Sequence, residues 1–326
     1  MAKPKVVVSA PLPADLRERV EAECEILEVP VGVSPLEKLT QDELSSVEGY
    51  LTTVRTKFDE EVLKKLPSLK VVSNFAVGYD NVDVDAATNA NVLICNTPKV
   101  LDGAVADIAI GLMLCLTRDM VNGDAYVRDG SWAAKGAPAL TSDMRGKTLG
   151  LLGMGRIGRV VAKTAKAFDM KVLYHNRNRC DISEKDGLAE YCDRDTLFSE
   201  ADFVSVHVPL TEETQGSITL REFKLMKPTA YFINTARGGV VNENDLITAL
   251  STNEIAGAGL DVMVKEPLPA DSPLCKMKNV VLQAHVGSGT VETRRAMIQL
   301  AVDNLLDALS KNKPEAMVNP QVWGQV

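Results

Sequence analysis

The sequence of 326 residues predicts an α/β protein built from two doubly wound units, each with a parallel sheet. Short β-branched or apolar runs alternate with segments of helical apolar period along the chain. A glycine-rich segment, residues 153–158, stands between a predicted strand and a predicted helix. A helical segment at residues 103–118 joins two series of strands, so we expect one unit on each side of it.

The first series of strands is divided into five short runs by turn residues. Helical patterns at residues 13–22 and 60–66 lie between them. The predicted strands are residues 5–8, 25–29, 47–51, 70–73 and 91–95.

The second series has six predicted strands, which suit a complete doubly wound sheet. A last helical pattern, residues 293–310, has no strand after it, and we expect it to return to the first unit. That unit would then be discontinuous, with residues 1–100 and 289–326 flanking residues 101–288. The strands of the second series are residues 148–152, 171–175, 202–208, 230–234, 256–262 and 279–283.

Charge and composition argue against several classes of function. The chain has 36 Lys and Arg against 44 Asp and Glu, a net charge of -8, so a nucleic-acid partner is not expected. The longest apolar run, residues 108–116, is shorter than the roughly 20 residues that span a bilayer. The start of the chain lacks the apolar core of a signal peptide, which predicts a cytoplasmic protein. The six cysteines have no zinc-site spacing, and no metal site is expected.

The segment Gly-Met-Gly-Arg-Ile-Gly at residues 153–158 has the form of a phosphate-binding turn. After a strand and before a helix, such a turn lets a pyrophosphate approach the backbone at the helix N-terminus. Glycines that only allow a helix to pack on a sheet are the alternative. Three residues carry the pattern: Gly153, Gly155 and Gly158.

The end of the next strand bears on the choice of cofactor. NAD-type sites call for a carboxylate about 20 residues after the turn, but the chain has Asn176, Arg177, Asn178 and Arg179 there. Two guanidinium groups favour a 2′-phosphate. We therefore expect NADP(H) as the preferred cofactor and NAD(H) as a possible one, although solvated surface arginines would look the same.

Three polar residues follow strands of the second series, and the carboxyl ends of parallel strands share one edge. His285 can donate a proton near neutral pH, Glu266 can stabilise the imidazolium, and Arg237 can grip a carboxylate. These groups suit reduction of a 2-oxo acid. His175 and His207 are alternatives, but the first lies where adenosine is expected and the second inside a predicted strand.

Further motifs stand in a characteristic order along the chain. They include Phe-Ala-Val-Gly-Tyr-Asp-Asn-Val-Asp at 75–83, Asn-Thr-Pro at 96–98, Val-Ala-Asp at 105–107, Asn-Thr-Ala-Arg-Gly at 234–238, Gly-Leu-Asp-Val at 259–262, Glu-Pro at 266–267 and His-Val-Gly-Ser at 285–288. With the glycine turn, they resemble the D-isomer-specific 2-hydroxyacid dehydrogenase family over nearly the whole chain. The segment 285–294 is similar to glyoxylate, hydroxypyruvate and hydroxyphenylpyruvate reductases of that family.

The resemblance implies a Rossmann dinucleotide-binding domain at residues 101–288, inserted into a flavodoxin-like substrate-binding domain. It implies His285 as proton donor, Glu266 as its partner and Arg237 as substrate anchor. The substrate-binding residues it implies are Val77, Gly78, Arg237, His285 and Ser288. The cofactor-binding residues are Val105, Gly153, Gly155, Arg156, Ile157, Gly158, Asn176, Arg177, Arg179, Pro209, Thr235, Asp261 and Gly287.

The activity implied is transfer of a hydride from NADPH to a small 2-oxo acid, glyoxylate or hydroxypyruvate, to give the D-2-hydroxy acid. The alternatives are another substrate, such as an arylpyruvate or phosphite, and a dinucleotide-sensing corepressor. Glu266 disfavours formate dehydrogenase, whose members carry Gln there. Ala284 departs from the family, which usually has Pro. The resemblance also implies a homodimer, with residues 118–147 as an arm and Trp132 as a residue that reaches the partner's active site.

Overall fold

The structure, a computed structural model, describes residues 2–325. The chain divides into two compact units, Met1–Leu101 with Thr290–Val326 and Asp102–Gly289. Each unit is built on a sheet in which every strand pairing is parallel. The predicted fold class, two doubly wound α/β units, is confirmed.

The two sheets together contain twelve strands in the described residues, numbered here in chain order. They are β1 (Lys5–Val8), β2 (Glu25–Glu28), β3 (Val47–Thr52), β4 (Val71–Asn74), β5 (Leu93–Cys95), β6 (Thr148–Leu152), β7 (Lys171–His175), β8 (Glu190–Tyr191), β9 (Phe203–Val206), β10 (Tyr231–Asn234), β11 (Gly257–Leu260) and β12 (Val280–Leu282).

The α-helices connect these strands and close the chain. They are α1 (Ala14–Glu23), α2 (Gln41–Ser46), α3 (Glu60–Lys64), α4 (Val84–Asn89), α5 (Asp102–Thr117), α6 (Met120–Arg128), α7 (Ser131–Lys135), α8 (Arg156–Ala167), α9 (Asp181–Lys185), α10 (Arg194–Glu200), α11 (Leu220–Leu225), α12 (Glu243–Ser251) and α13 (Val291–Leu309). Short 3-10 helices lie at Pro35–Glu37, Gly238–Val240, Pro273–Lys276 and Pro320–Val322.

The sheet of the first unit has the order β2-β1-β3-β4-β5, which is the flavodoxin-like order. Helix α13 packs on β3, β4 and β5. Its close approach depends on Gly49 in β3, because a Cβ there would lie 2.8 Å from Leu305 Cδ1. The Ser73 hydroxyl also donates to the Ala301 carbonyl at 2.7 Å. The last long helix therefore completes the first unit.

The sheet of the second unit has the order β12-β11-β10-β9-β6-β7-β8. The chain starts at β6, adds β7 and β8 on one side, and then crosses to β9 on the other, which is the Rossmann arrangement. The prediction of six strands was wrong by one, since the sheet has seven. The missed strand, β8, has only two residues, too few to give an alternating pattern.

The core of the second unit lies on both faces of its sheet. One apolar cluster contains Phe198, Phe223 and Phe232, and on the other face α5 packs against β10 and β11 while α8 packs against β6 and β7. Helices cover both faces of the sheet. The polar groups that can contact a ligand therefore lie beyond the carboxyl ends of the strands. Of the helices described, none is long and apolar enough to cross a membrane.

Candidate active site

The glycine turn between β6 and α8 has the space that a dinucleotide pyrophosphate needs. Gly153 has φ +108°, and a Cβ there would lie 2.7 Å from the His207 carbonyl carbon and oxygen. A Cβ on Gly158 would lie 2.2 Å from the Gly153 oxygen, whereas one on Gly155 would meet nothing within 4 Å. The backbone thus packs tightly on one side and is open on the other, where the first turn of α8, with Arg156 and Ile157, begins. The glycine turn therefore fits the pyrophosphate of a dinucleotide.

Two predicted cofactor residues, Arg156 and Val105, lie at the glycine turn and at the start of α5. Arg156 Nε is 3.4 Å from Asp102 Oδ2. Burial raises the pKa of the Asp102 carboxyl, and the positive charge of Arg156 opposes that shift. Val105, one turn along α5, is buried, and its Cγ2 is 3.3 Å from the position of a Cβ on Gly287. Sequence reasoning missed Asp102, which lacked a motif.

The loop after β7 is fastened to the glycine turn. Asn176 Oδ1 accepts a hydrogen bond from the Met154 amide at 2.7 Å. The next residue, Arg177, donates from Nη1 to Glu213 Oε2 at 2.8 Å. The side chains of this ion pair are 80% and 72% exposed, so Arg177 is accessible to a ligand.

Arg179 is held more firmly than Arg177. Its Nε and Nη2 donate to the two carboxylate oxygens of Glu184 at 3.1 and 2.5 Å, and its guanidinium lies 4.9 Å from the centre of the Tyr191 ring. Tyr174 also donates to Glu184, at 2.5 Å. The hydrogen bonds from Arg179 and Tyr174 keep the pKa of Glu184 below its usual value. Arg179 is therefore part of a side-chain network within the unit.

His285 and Glu266 form the pair that the sequence predicted. His285 Nδ1 lies 2.7 Å from Glu266 Oε2, and Glu266 Oε1 accepts from the Met263 amide at 3.0 Å. Partial burial favours the neutral acid, but the hydrogen bonds from His285 and Met263 outweigh it and hold the pKa of Glu266 below its usual value. The carboxylate therefore fixes Nδ1 and leaves Nε2 as the nitrogen that can exchange a proton with a ligand.

Asp261 anchors the loop that carries His285. Its two carboxylate oxygens accept from the amides of Val286 and Gly287 at 2.7 and 2.8 Å, and its carbonyl accepts from the His285 amide at 2.8 Å. Burial raises the pKa of Asp261, and the two amide hydrogen bonds oppose the shift. His285 itself has φ 55°, a left-handed conformation that these three bonds stabilise.

Arg237 follows β10 in a turn shaped by Asn234. The Asn234 side chain donates to the Arg237 carbonyl at 2.9 Å and accepts from the Ala236 amide at 3.0 Å. A Cβ on Gly238 would lie 1.9 Å from the Met263 carbonyl carbon. The Arg237 turn thus packs directly on the loop that leads to Glu266, and the positive charge of Arg237 contributes to the lowered pKa of Glu266.

The sequence also carries a signal for the role of Asn234. An Asn at a strand end before a turn favours a side-chain hydrogen bond to the backbone two residues on. The remaining predicted residues of this unit follow strands of the same sheet: Pro209 after β9, Thr235 after β10 and Ser288 after β12.

The two alternative histidines make contacts within the unit. His207 Nε2 lies 2.8 Å from Ser205 Oγ, and burial lowers the pKa of His207 to about 4. His207 follows β9, so its prediction inside a strand was wrong by one residue. His175 Nδ1 lies 3.0 Å from the Cys192 carbonyl oxygen. Both imidazoles have structural partners.

The first unit carries Val77 and Gly78 in the loop after β4. Asn96 Nδ2 donates to the Val77 carbonyl at 2.8 Å, and Asn74 Nδ2 donates to the Gly78 carbonyl at 2.9 Å. Within residues 2–325, the amides of Val77 and Gly78 donate to no protein acceptor. Two successive amides with fixed carbonyls can bind an anion.

The described side chains include no group of three or more His, Cys, Asp and Glu that could hold a metal ion. In the second unit, the charged and titratable groups that follow the strands include the imidazole of His285, the carboxylates of Glu266 and Asp261, and the guanidinium of Arg237.

Comparison with known proteins shows which proteins the chain is similar to. Residues 110–287 match the model of the D-isomer specific 2-hydroxyacid dehydrogenase, NAD binding domain. The chain is 42% identical to a glyoxylate reductase of Thermococcus litoralis, over 98% of each chain. It is 44% identical to glyoxylate/hydroxypyruvate reductase B of Salmonella typhi, over 99% of this chain and 100% of the relative.

Among solved structures, the NADPH-dependent glyoxylate/hydroxypyruvate reductase of Sinorhizobium meliloti, in complex with NADP and malonate, is similar in fold. It has a TM-score of 0.90 and 34% identity, over 99% of this chain and 98% of that one.

Proposed function

Because the chain belongs to the D-isomer specific 2-hydroxyacid dehydrogenase family, we propose that it reduces a small 2-oxo acid to the D-2-hydroxy acid with NADPH. The observation that carries the proposal is the 2.7 Å contact between His285 Nδ1 and Glu266 Oε2, next to the turn that bears Arg237. Glyoxylate and hydroxypyruvate are the proposed substrates, since relatives named for both align over nearly their whole length.

The proposed proton donor is His285. Glu266 stabilises its protonated form and holds the ring with Nε2 towards the substrate carbonyl oxygen, which accepts the proton. When bound, the nicotinamide cofactor supplies the hydride for the carbonyl carbon. Asp261 serves the same step indirectly, because its three hydrogen bonds fix the His285 loop.

Arg237 is the proposed anchor for the substrate. A guanidinium binds a carboxylate bidentately and stabilises negative charge that develops on the carbonyl oxygen. Carboxylate binding is also assigned to Val77 and Gly78, supported by their two free amides. Ser288 is assigned to substrate contact on the family resemblance alone.

The cofactor preference is assigned mainly to Arg177. Arg179 is hydrogen-bonded to Glu184 and lies over the Tyr191 ring. Arg177 is paired with Glu213, whose side chain is exposed. A charge-assisted hydrogen bond to a 2′-phosphate contributes about 1.5–3 kcal/mol, less at an exposed site. Since 1.4 kcal/mol is tenfold in affinity, we expect about tenfold preference for NADPH over NADH.

The experiment for the reaction is a steady-state comparison of glyoxylate, hydroxypyruvate, phenylpyruvate and pyruvate with each cofactor. The highest kcat/KM is expected for glyoxylate or hydroxypyruvate with NADPH. Phenylpyruvate as the best substrate would instead support an arylpyruvate reductase. Failure to turn over any of the four would reject the proposed reaction.

The experiment for the cofactor is Arg177→Ala with Arg179→Ala as its matched control. Arg177→Ala should raise the KM for NADPH about tenfold and leave that for NADH nearly unchanged. Arg179→Ala should have the smaller effect on selectivity. Equal kcat/KM for NADPH and NADH in the unmodified protein would reject the assigned preference.

A homodimer is proposed from the segment that contains α6 and α7. Apolar side chains on and beside this segment are largely exposed, and a second copy could cover them. They are Met120, Val121, Val127, Trp132 and Leu140. Sedimentation at micromolar concentration should give a dimer, and a monomer would also remove the proposed role of Trp132 at the partner's active site.

A further inference from the structure

The ion pair between Arg177 and Glu213 crosses the carboxyl end of β6. In the sheet, β6 lies between β7 and β9. Arg177 follows β7 and Glu213 belongs to the loop after β9, and their side chains meet at 2.8 Å. The glycine turn that follows β6 starts between these two loops. The ion pair therefore lies at the switch point of the strand order, where a dinucleotide binds in this fold.

Both ends of the ion pair are held by backbone contacts. On one side, Asn176 Oδ1 binds the Met154 amide at 2.7 Å. On the other, Thr214 Oγ1 donates to the Pro209 carbonyl at 2.6 Å and accepts from the Thr211 amide at 2.8 Å. These bonds close a turn around Glu213. The carboxylate is thus presented to Arg177 by a defined loop.

We propose that Glu213 sets the strength of the NADPH preference by competing with the cofactor 2′-phosphate for Arg177. The inference rests on the proposed cofactor site. A cofactor without the phosphate leaves the ion pair intact. A cofactor with it competes with the carboxylate of Glu213 for Nη1 of Arg177 and brings further negative charge close to that carboxylate. Arg179 cannot relieve this competition, because Glu184 already engages it bidentately.

The size of the effect follows from the exposure of the pair. Both side chains are more than two thirds exposed, so solvent screens their attraction. An exposed ion pair of this kind changes an equilibrium constant by about two- to fivefold. Removing the Glu213 charge should therefore strengthen binding of 2′-phosphorylated ligands by about that factor.

Calorimetric titration with 2′,5′-ADP and with ADP tests the inference without any turnover. Glu213→Gln should tighten 2′,5′-ADP about two- to fivefold and leave ADP unchanged. Glu212→Gln is the matched control, since Glu212 is the exposed neighbour with the same charge, and it should have the smaller effect. In an Arg177→Ala background, Glu213→Gln should have almost no effect on the ratio of the two affinities.

Several results would overturn the competition between Glu213 and the 2′-phosphate. If Glu213→Gln weakens 2′,5′-ADP or leaves the ratio unchanged, Glu213 does not compete for Arg177. The affinity for 2′,5′-ADP could also rise in the Arg177→Ala background, or rise equally with Glu212→Gln. Either result would show that Glu213 acts only as general surface charge and would overturn the inference. Turnover of 2-oxo acids is measured separately, so failure of the reaction and failure of this competition are distinguishable.

Discussion

Glu266→Gln is expected to move the pH dependence of both reaction directions to lower pH. Reduction requires the protonated imidazole of His285 and should fall as pH rises, whereas oxidation requires the neutral ring and should rise. The carboxylate of Glu266 stabilises the protonated form across the 2.7 Å contact. Without that charge the protonated form loses this stabilisation, so the limbs of both profiles shift in the same direction.

The contact geometry gives the free energy that the charge of Glu266 contributes. A hydrogen bond between charged groups contributes about 1.5–3 kcal/mol, but the two side chains are 39% and 36% exposed, so solvent reduces it to about 1–1.5 kcal/mol. At 1.4 kcal/mol per decade, loss of this charge should lower kcat/KM for reduction about five- to tenfold on the falling limb of the profile. The Gln amide can still accept from the Met263 amide, so the loop should keep its position.

The assay is kcat/KM against pH for 2-oxo acid reduction and for 2-hydroxy acid oxidation. Glu243→Gln is the matched control, because Glu243 accepts from the Val264 amide on the same loop at 3.1 Å but has no contact with the imidazole in the described structure. The control should keep the limbs where they are. Profiles of Glu266→Gln that coincide with those of the unmodified protein would refute the coupling of Glu266 to His285.

Three further substitutions test other parts of the site. His285→Asn should lower kcat about 10²- to 10⁴-fold while the Kd for NADPH, followed by fluorescence, stays the same; near-normal turnover would exclude His285 as the proton donor. Arg237→Ala should lower kcat/KM about 10²- to 10³-fold through both kcat and KM, and a change confined to NADPH affinity would contradict its role as anchor. Gly153→Ala places a Cβ 2.7 Å from the His207 backbone, on a residue with φ +108°. The Tm should therefore fall by about 3–10 °C. Gly155→Ala is the control, because its Cβ would have open space, and it should leave the Tm unchanged.

The strands could be predicted from the sequence where every side chain of the strand is buried. Val6–Val8 and Leu149–Leu152 are continuous apolar runs, and both became central strands buried on two faces. The two-residue strand β8 could not be found this way, since it depends on pairing with β7.

The site could be predicted where one rule applied to many residues. All parallel strands end at one edge, and this rule brought His285 and Glu266 together although 19 residues separate them. The links of Asn176 to Met154 and of Arg179 to Glu184 followed no such rule, because both depend on how loops fold back. The chemical roles of the predicted residues stay predictions until the variants are measured.

The division of the chain has a consequence for how proteins of this kind can diverge. The glycine turn, Arg237, Glu266 and His285 all fall within Asp102–Gly289, whereas the other unit is encoded in two flanking pieces. One continuous stretch of the sequence thus contains all of these groups together with the contacts that fix them. Recombination at its two ends would transfer the set whole, and mutations accumulating in the outer segments would leave the internal distances of the pair unaltered.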